Sequence, residues 1–145
     1  MTNIQLKFLL GSILLFHLSI SFAEYGVASF VRGKAFVDRS DQKDIPLRKN
    51  DKVLESDVIR TLKKSFVKIT FSDNSTFALG QNSKVVMAKL KVDEMKNIEL
   101  LQGYVRSKFN KEVSKDHKIQ VKTKSAILGI RGTEFSMIYN PKNNV

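Results

Sequence analysis

From residue 24 onward, apolar side chains recur at alternate positions in short runs, and the runs are broken by asparagine, aspartate, serine and glycine. A period of two is the period of a β-strand, whose successive side chains point to opposite faces. Val67, Ile69 and Phe71 face one way and Phe66, Lys68 and Thr70 the other. Ser72-Asp73-Asn74-Ser75 then turns the chain into Thr76-Phe77-Ala78-Leu79, which predicts a hairpin. By the same reasoning Val86, Ala88, Leu90 and Val92 oppose Met87, Lys89 and Lys91, and Ile119, Val121 and Thr123 oppose Gln120, Lys122 and Lys124. Shorter strands fit at 27–31, 34–38, 58–60, 97–101, 104–109 and 134–139, giving about ten in all, each with a core face and a wet face. Many short strands with turns between them predict an all-β domain, built as a sandwich, a barrel or a solenoid-like stack. Between Ser83 and Lys96 the residues also suit a helix start, and a short helix there leaves the class unchanged.

The first 23 residues follow a different pattern. Lys7 and the amino terminus make a charged end, and Phe8 to Ile20 form an apolar run interrupted by Gly11, Ser12, His17 and Ser19. Ser21-Phe22-Ala23 supplies small residues at both recognition positions of a signal peptidase, so cleavage is expected between Ala23 and Glu24. The run is about 13 residues, short of the ~20 that cross a bilayer, and no later segment is apolar enough to span. The expected organisation is a signal peptide at 1–23, one β domain at 24–140 and a flexible tail at 141–145, in a periplasmic or secreted product.

The chain has no cysteine, which excludes disulfides, zinc-thiolate sites and thiol nucleophiles. After the leader there is one histidine, His117, between Asp116 and Lys118, too little for a metal cage. There is no G-x-S-x-G elbow, no pair of carboxylates stands out, and Gly129 and Gly132 lack the following helix of a phosphate-binding loop. No catalytic residue, cofactor or metal ligand is expected. The net charge of +11 favours anionic partners. Arg60, Lys63, Lys64 and Lys68 form one candidate polyanion-binding cluster, and Lys115, Lys118, Lys122 and Lys124 another, with Lys122 and Lys124 on the wet face of a strand. Charged strand faces are ordinary in soluble sheets, so a solvated face is the competing reading. Nucleic acid is disfavoured, because no aromatic-basic ribonucleoprotein motif is present.

The most distinctive local signal is Gly129-Ile130-Arg131-Gly132-Thr133-Glu134-Phe135, preceded by Val121-Lys122-Thr123-Lys124-Ser125-Ala126. Together with Asp73-Asn74-Ser75 before Phe77-Ala78-Leu79, Leu101-Gln102-Gly103-Tyr104-Val105 and the stretch from Leu47 to Thr61, it resembles the FecR domain of bacterial periplasmic regulators, over nearly all of the chain after the leader. The resemblance implies a FecR-type β-sandwich or solenoid-like domain. It maps the family's glycine-rich turn onto Gly129, Arg131, Gly132 and Thr133, with Phe135 following. The two glycines would permit positive φ or close approach beside Arg131, and the turn reads as a structural corner closing the core. Asn50, Leu62, Asn74 and Lys124 stand where the family pattern implies glycine, glycine, glycine and proline. Asparagine tolerates left-handed geometry, whereas Leu62 resists it, so the turn after Thr61 is expected to be rebuilt.

Family regulators pass a signal from an outer-membrane receptor to a cytoplasmic sigma factor through a cytosolic segment, a membrane span and this domain. The resemblance here covers only the last of these. It therefore implies a stand-alone, non-catalytic module that binds an envelope protein through a sheet edge or basic face. A different class of reading is direct binding to an anionic lipid surface or acidic glycan through the lysine-rich faces.

Overall fold

The computed structural model describes residues 24–88, 96–108, 119–130 and 134–142, and every regular element among them is a β-strand. In chain order these are β1 (Glu24–Arg32), β2 (Ala35–Arg39), β3 (Gln42–Pro46), β4 (Lys52–Leu54), β5 (Val58–Thr61), β6 (Phe66–Thr70), β7 (Thr76–Leu79), β8 (Lys84–Met87), β9 (Lys96–Lys108), β10 (Ile119–Lys122), β11 (Ile127–Ile130) and β12 (Glu134–Tyr139). They join in one sheet along the path β3-β2-β5-β8-β9-β7-β6-β1-β4, curled into a half-barrel. The pairs are antiparallel except β9 with β10, which run parallel, and β11 and β12 hang on β10 and β9 respectively.

The curl makes two walls that share β9. Its N-terminal part pairs with β8 and β10, and its C-terminal part with β7 and β12. Inner side chains of the β2 wall run across the strands as Val37, Ile59, Val85 and Leu100, and those of the β1 wall as Val31, Val67, Leu79, Val105 and Met137. These rows belong to one apolar core in which Ile59, Val67, Ile69, Phe77, Leu79, Val85 and Leu100 are wholly shielded from solvent. Burying each such side chain stabilises the fold by about 1.5–3 kcal/mol, and this burial takes the place of disulfides.

The strands anticipated at 97–101 and 104–109 are one continuous strand. Inner positions in β9 are Ile98 and Leu100 before Gly103 but Val105 and Ser107 after it, and the alternation slips by one residue between Leu100 and Gln102, just before Gly103. Gly103 has φ +100°, and a Cβ there would stand 2.4 Å from Ser83 Oγ and 2.5 Å from Ser83 Cα. Only glycine lets β9 pass that closely over Ser83 while it leaves one wall and enters the other. The remaining difference from about ten strands is three short ones, β3, β4 and β11, which add to the nine that match anticipated segments.

Phe66 to Leu79 forms the expected hairpin, closed by Phe71 N–H donating to Ser75 O at 2.9 Å, with Asn74 at φ +60°. Asn50 is likewise left-handed at φ +73°. In the turn after Thr61, Leu62 is not left-handed, Lys64 takes φ +58°, and Ser65 N–H closes the turn on Leu62 O at 3.3 Å. One phase is corrected. Val85 and Met87 are buried and Val86 is not, because Ser83 is drawn inward as the hydrogen-bond partner of Thr61 and Tyr104 and sets the alternation that follows. The anticipated helix start at Ser83 instead leads into β8; residues 89–95 lie outside the described residues.

Tyr25 in β1 is 2 % exposed, and its hydroxyl donates to the carbonyls of Ala88 and Asn97, which ties β1 to the ends of β8 and β9. Burial pushes its pKa from 10 up to about 12. The folded pKa lies above the unfolded one, so the stability from keeping this phenol protonated is complete below pH 10 and declines as pH rises toward about 12. Titration of tyrosinate absorbance should show a late-ionising tyrosine that Tyr25→Phe removes; an unchanged titration curve in that variant would refute the assignment.

Candidate functional site

Outer faces differ between the two walls. On the β2 wall, positions Phe36, Arg60 and Lys84 lie in one cross-strand row and Asp38, Val58, Val86, Glu99 and Lys122 in the next. Acid and base alternate there. Arg60 lies 5.3 Å from the Phe36 ring centroid, 3.7 Å from Asp38 Oδ2 and in contact with Asp44. Its charge is thus met by two carboxylates and a ring, which leaves little for an external anion.

On the β1 wall, β7 turns its small residues Thr76 and Ala78 outward, and Gly80, just after it, continues their line. Phe66, Lys68 and Thr70 of β6 flank that line on one side and Tyr104, Arg106 and Lys108 of β9 on the other, because Lys68 and Arg106 both register with Ala78. A Cβ on Gly80 would come within 3.0 Å of Tyr104 Cδ1, so the tyrosine ring leans over the glycine. Phe30 packs edge-on against Phe66 with centroids 6.0 Å apart and is 44 % exposed. Arg106 pairs with Glu134 and Lys52 with Glu24, while Lys68 and Lys108 have no carboxylate partner among the described residues. Beyond Tyr104 the face opens into a groove of about 570 Å³ lined by Gln81, Asn82, Gln102, Ile138, Asn140 and Lys142, among others.

The cations anticipated as clusters are therefore distributed. Arg60 faces out from the β2 wall, Lys68 from the β1 wall, and Lys63 and Lys64 are exposed in the turn between β5 and β6. Lys122 stands opposite Glu99, Lys124 is exposed in the turn after β10, and Lys115 and Lys118 lie outside the described residues. Phe66, Tyr104 and Arg106 were not singled out from the sequence. Their shared trough arises from the β6-β7-β9 order, for which local sequence carries no signal.

Of the glycine-rich motif, Arg131, Gly132 and Thr133 lie outside the described residues. Gly129 has nothing within 4 Å of where a Cβ would stand and no positive φ, so neither anticipated reason for a glycine applies to it. Phe135 packs against the core from β12. The motif's described part also contains an edge. Among the described residues β11 pairs only with β10, and Ile127 and Leu128 are 63 % and 39 % exposed. Among the described residues no group of His, Asp and Glu could hold a metal ion, and no helix is long and apolar enough to cross a membrane.

Asp57 has a different purpose. It is wholly buried, and the Arg39 guanidinium donates to both its oxygens, from Nε at 2.8 Å and Nη2 at 2.7 Å, while Leu54 N–H donates to Oδ2 at 2.8 Å. All of its described partners are internal, which marks a structural clamp joining β2, β4 and β5.

Neither a curated protein nor a solved structure matches the chain. The family model described as FecR protein matches residues 57–145. The match starts at Asp57, and β1 to β4, which precede it, are nonetheless hydrogen-bonded into the same sheet through β6 and β5. Regulatory, non-enzymatic domains of the bacterial envelope make up this family. An all-β sheet with this motif at its end, matched over more than half its length, belongs to the FecR family.

Proposed function

We propose that the protein is a non-catalytic interaction and signalling module of the periplasm, released from its leader after Ala23, with one domain at 24–140 and a short tail, and that it docks an envelope protein along β11. The observation that carries this reading is the chemistry of the sheet edges. Exposed edges are usually blunted by charge or proline, and β3 has Lys43, Asp44 and Pro46. By contrast β11 is Ile-Leu-Gly-Ile, uncharged and exposed at Ile127 and Leu128. Such an edge offers backbone hydrogen bonds and apolar contacts to an added strand. In capture from an envelope extract, Ile127→Lys is expected to retain the partner about tenfold less than the unmodified protein. Its melting temperature should not change, since Ile127 is 63 % exposed. Equal retention by both proteins would reject β11 as the docking strand.

A second reading, binding to an anionic envelope surface, is favoured by the charge asymmetry between walls. Outer strand positions of the β1 wall include Arg32, Lys52, Lys68, Arg106 and Lys108 against Glu24 and Glu134, whereas those of the β2 wall are nearly balanced.

A further inference from the structure

We infer that the trough over β7 is a binding site for an acidic polysaccharide chain. The inference rests on the second reading above and gives it a location and a ligand class. At about 3.4 Å per residue the line from Thr76 to Gly80 runs for about 14 Å, and its flanking strands β6 and β9 stand about 9–10 Å apart. That is a slot one strand wide, suited to a single linear chain and too narrow for a planar bilayer to reach its floor. Its two sides carry cations. Arg106, opposite Lys68 across Ala78, is held by Glu134, whereas Lys68 and, beside Thr76, Lys108 have no carboxylate partner among the described residues and would meet carboxylates on the chain. At Gly80 the Tyr104 ring leans over the floor beside Phe66, so the two rings would form a platform for the C–H face of one sugar unit. Two rings at one position serve a single unit, whereas stacking successive nucleic-acid bases needs rings in series along the strand. At the Gly80 end the trough leads toward the groove where Gln81, Asn82, Gln102 and Asn140 bring amide groups together, and amides both donate to and accept from sugar hydroxyls.

The probe is a polygalacturonate oligomer titrated calorimetrically against the purified protein at two salt concentrations, beside phosphatidylglycerol vesicles and oligodeoxythymidylate. The expected result is salt-weakened binding of the oligomer in preference to the other two, reduced about tenfold by Lys68→Glu and by Ala78→Phe, which fills the slot and leaves its cations in place. Lys68 is exposed, so that variant tests the site even where Ala78→Phe perturbs the fold. Salt-weakened oligomer binding that both variants leave intact overturns the trough while the second reading stands. Preference for the vesicles or the oligonucleotide overturns the glycan assignment. If none of the three binds, the second reading falls with it.

Discussion

Replacing Arg39 with alanine is expected to lower the unfolding free energy by about 3–5 kcal/mol. Asp57 is 0 % exposed, and Arg39 supplies two of its three hydrogen bonds, which leaves one backbone donor, Leu54 N–H, if the guanidinium is removed. A carboxylate held out of water with one donor bears its desolvation cost, and that destabilises the fold. The effect extends past the pair, because Arg39 Nη2 also donates to Lys52 O at 2.9 Å and so holds β4 beside the end of β2. Hydrogen-bond donation to the Asp57 carboxylate is the main reason that the Arg39 pKa lies above its ordinary value. Arg39→Lys keeps the charge without the planar fork and should fall between alanine and the native residue. Urea unfolding measures the change at constant slope. A loss below about 1 kcal/mol in Arg39→Ala would show that water reaches the carboxylate and that the clamp is ornamental.

Gly103→Val should cost about 3 kcal/mol or more, although valine is a better strand residue than glycine. At φ +100° a branched side chain is strained, and its Cβ would lie 2.5 Å from Ser83 Cα, a backbone atom that cannot swing away. Relief requires separating β8 from β9, and with it the bonds by which Ser83 Oγ accepts from Tyr104 N–H and donates to Tyr104 O, each 3.0 Å. Gly129→Val is the matched control, since nothing lies within 4 Å of a Cβ there and the expected change is within about 0.5 kcal/mol. Parallel thermal melts compare the two; similar losses would mean that β9 does not need its close crossing at Gly103.

Those two glycines show how far local reading reaches. Gly129 sits in the most recognisable motif, yet its place in β11 makes no steric demand on it. Gly103, in the quieter segment Leu101-Gln102-Gly103-Tyr104-Val105, is where one strand changes walls. Alternation read as uninterrupted splits β9 in two, because a one-residue slip looks the same in sequence as a strand ending and another beginning. The lysines are similar. Lys68 could be placed on a wet face from Val67, Ile69 and Phe71 alone, but grouping it with Arg60 by nearness in sequence fails, since consecutive strands β5 and β6 enter different walls.

The amino-acid order alone determined that the chain folds as strands and which side chains of β6 share a face, and it put asparagine, which tolerates left-handed geometry, at positions 50 and 74. These follow from side-chain period and backbone sterics, which act over a few residues. Tertiary structure decided that β7 lies between β6 and β9, that among the described residues β11 ends the sheet with an apolar edge, and that Asp57 meets Arg39. Strand neighbours are selected by the joint burial of one core and by hydrogen bonds between distant segments, so no short window of sequence contains them.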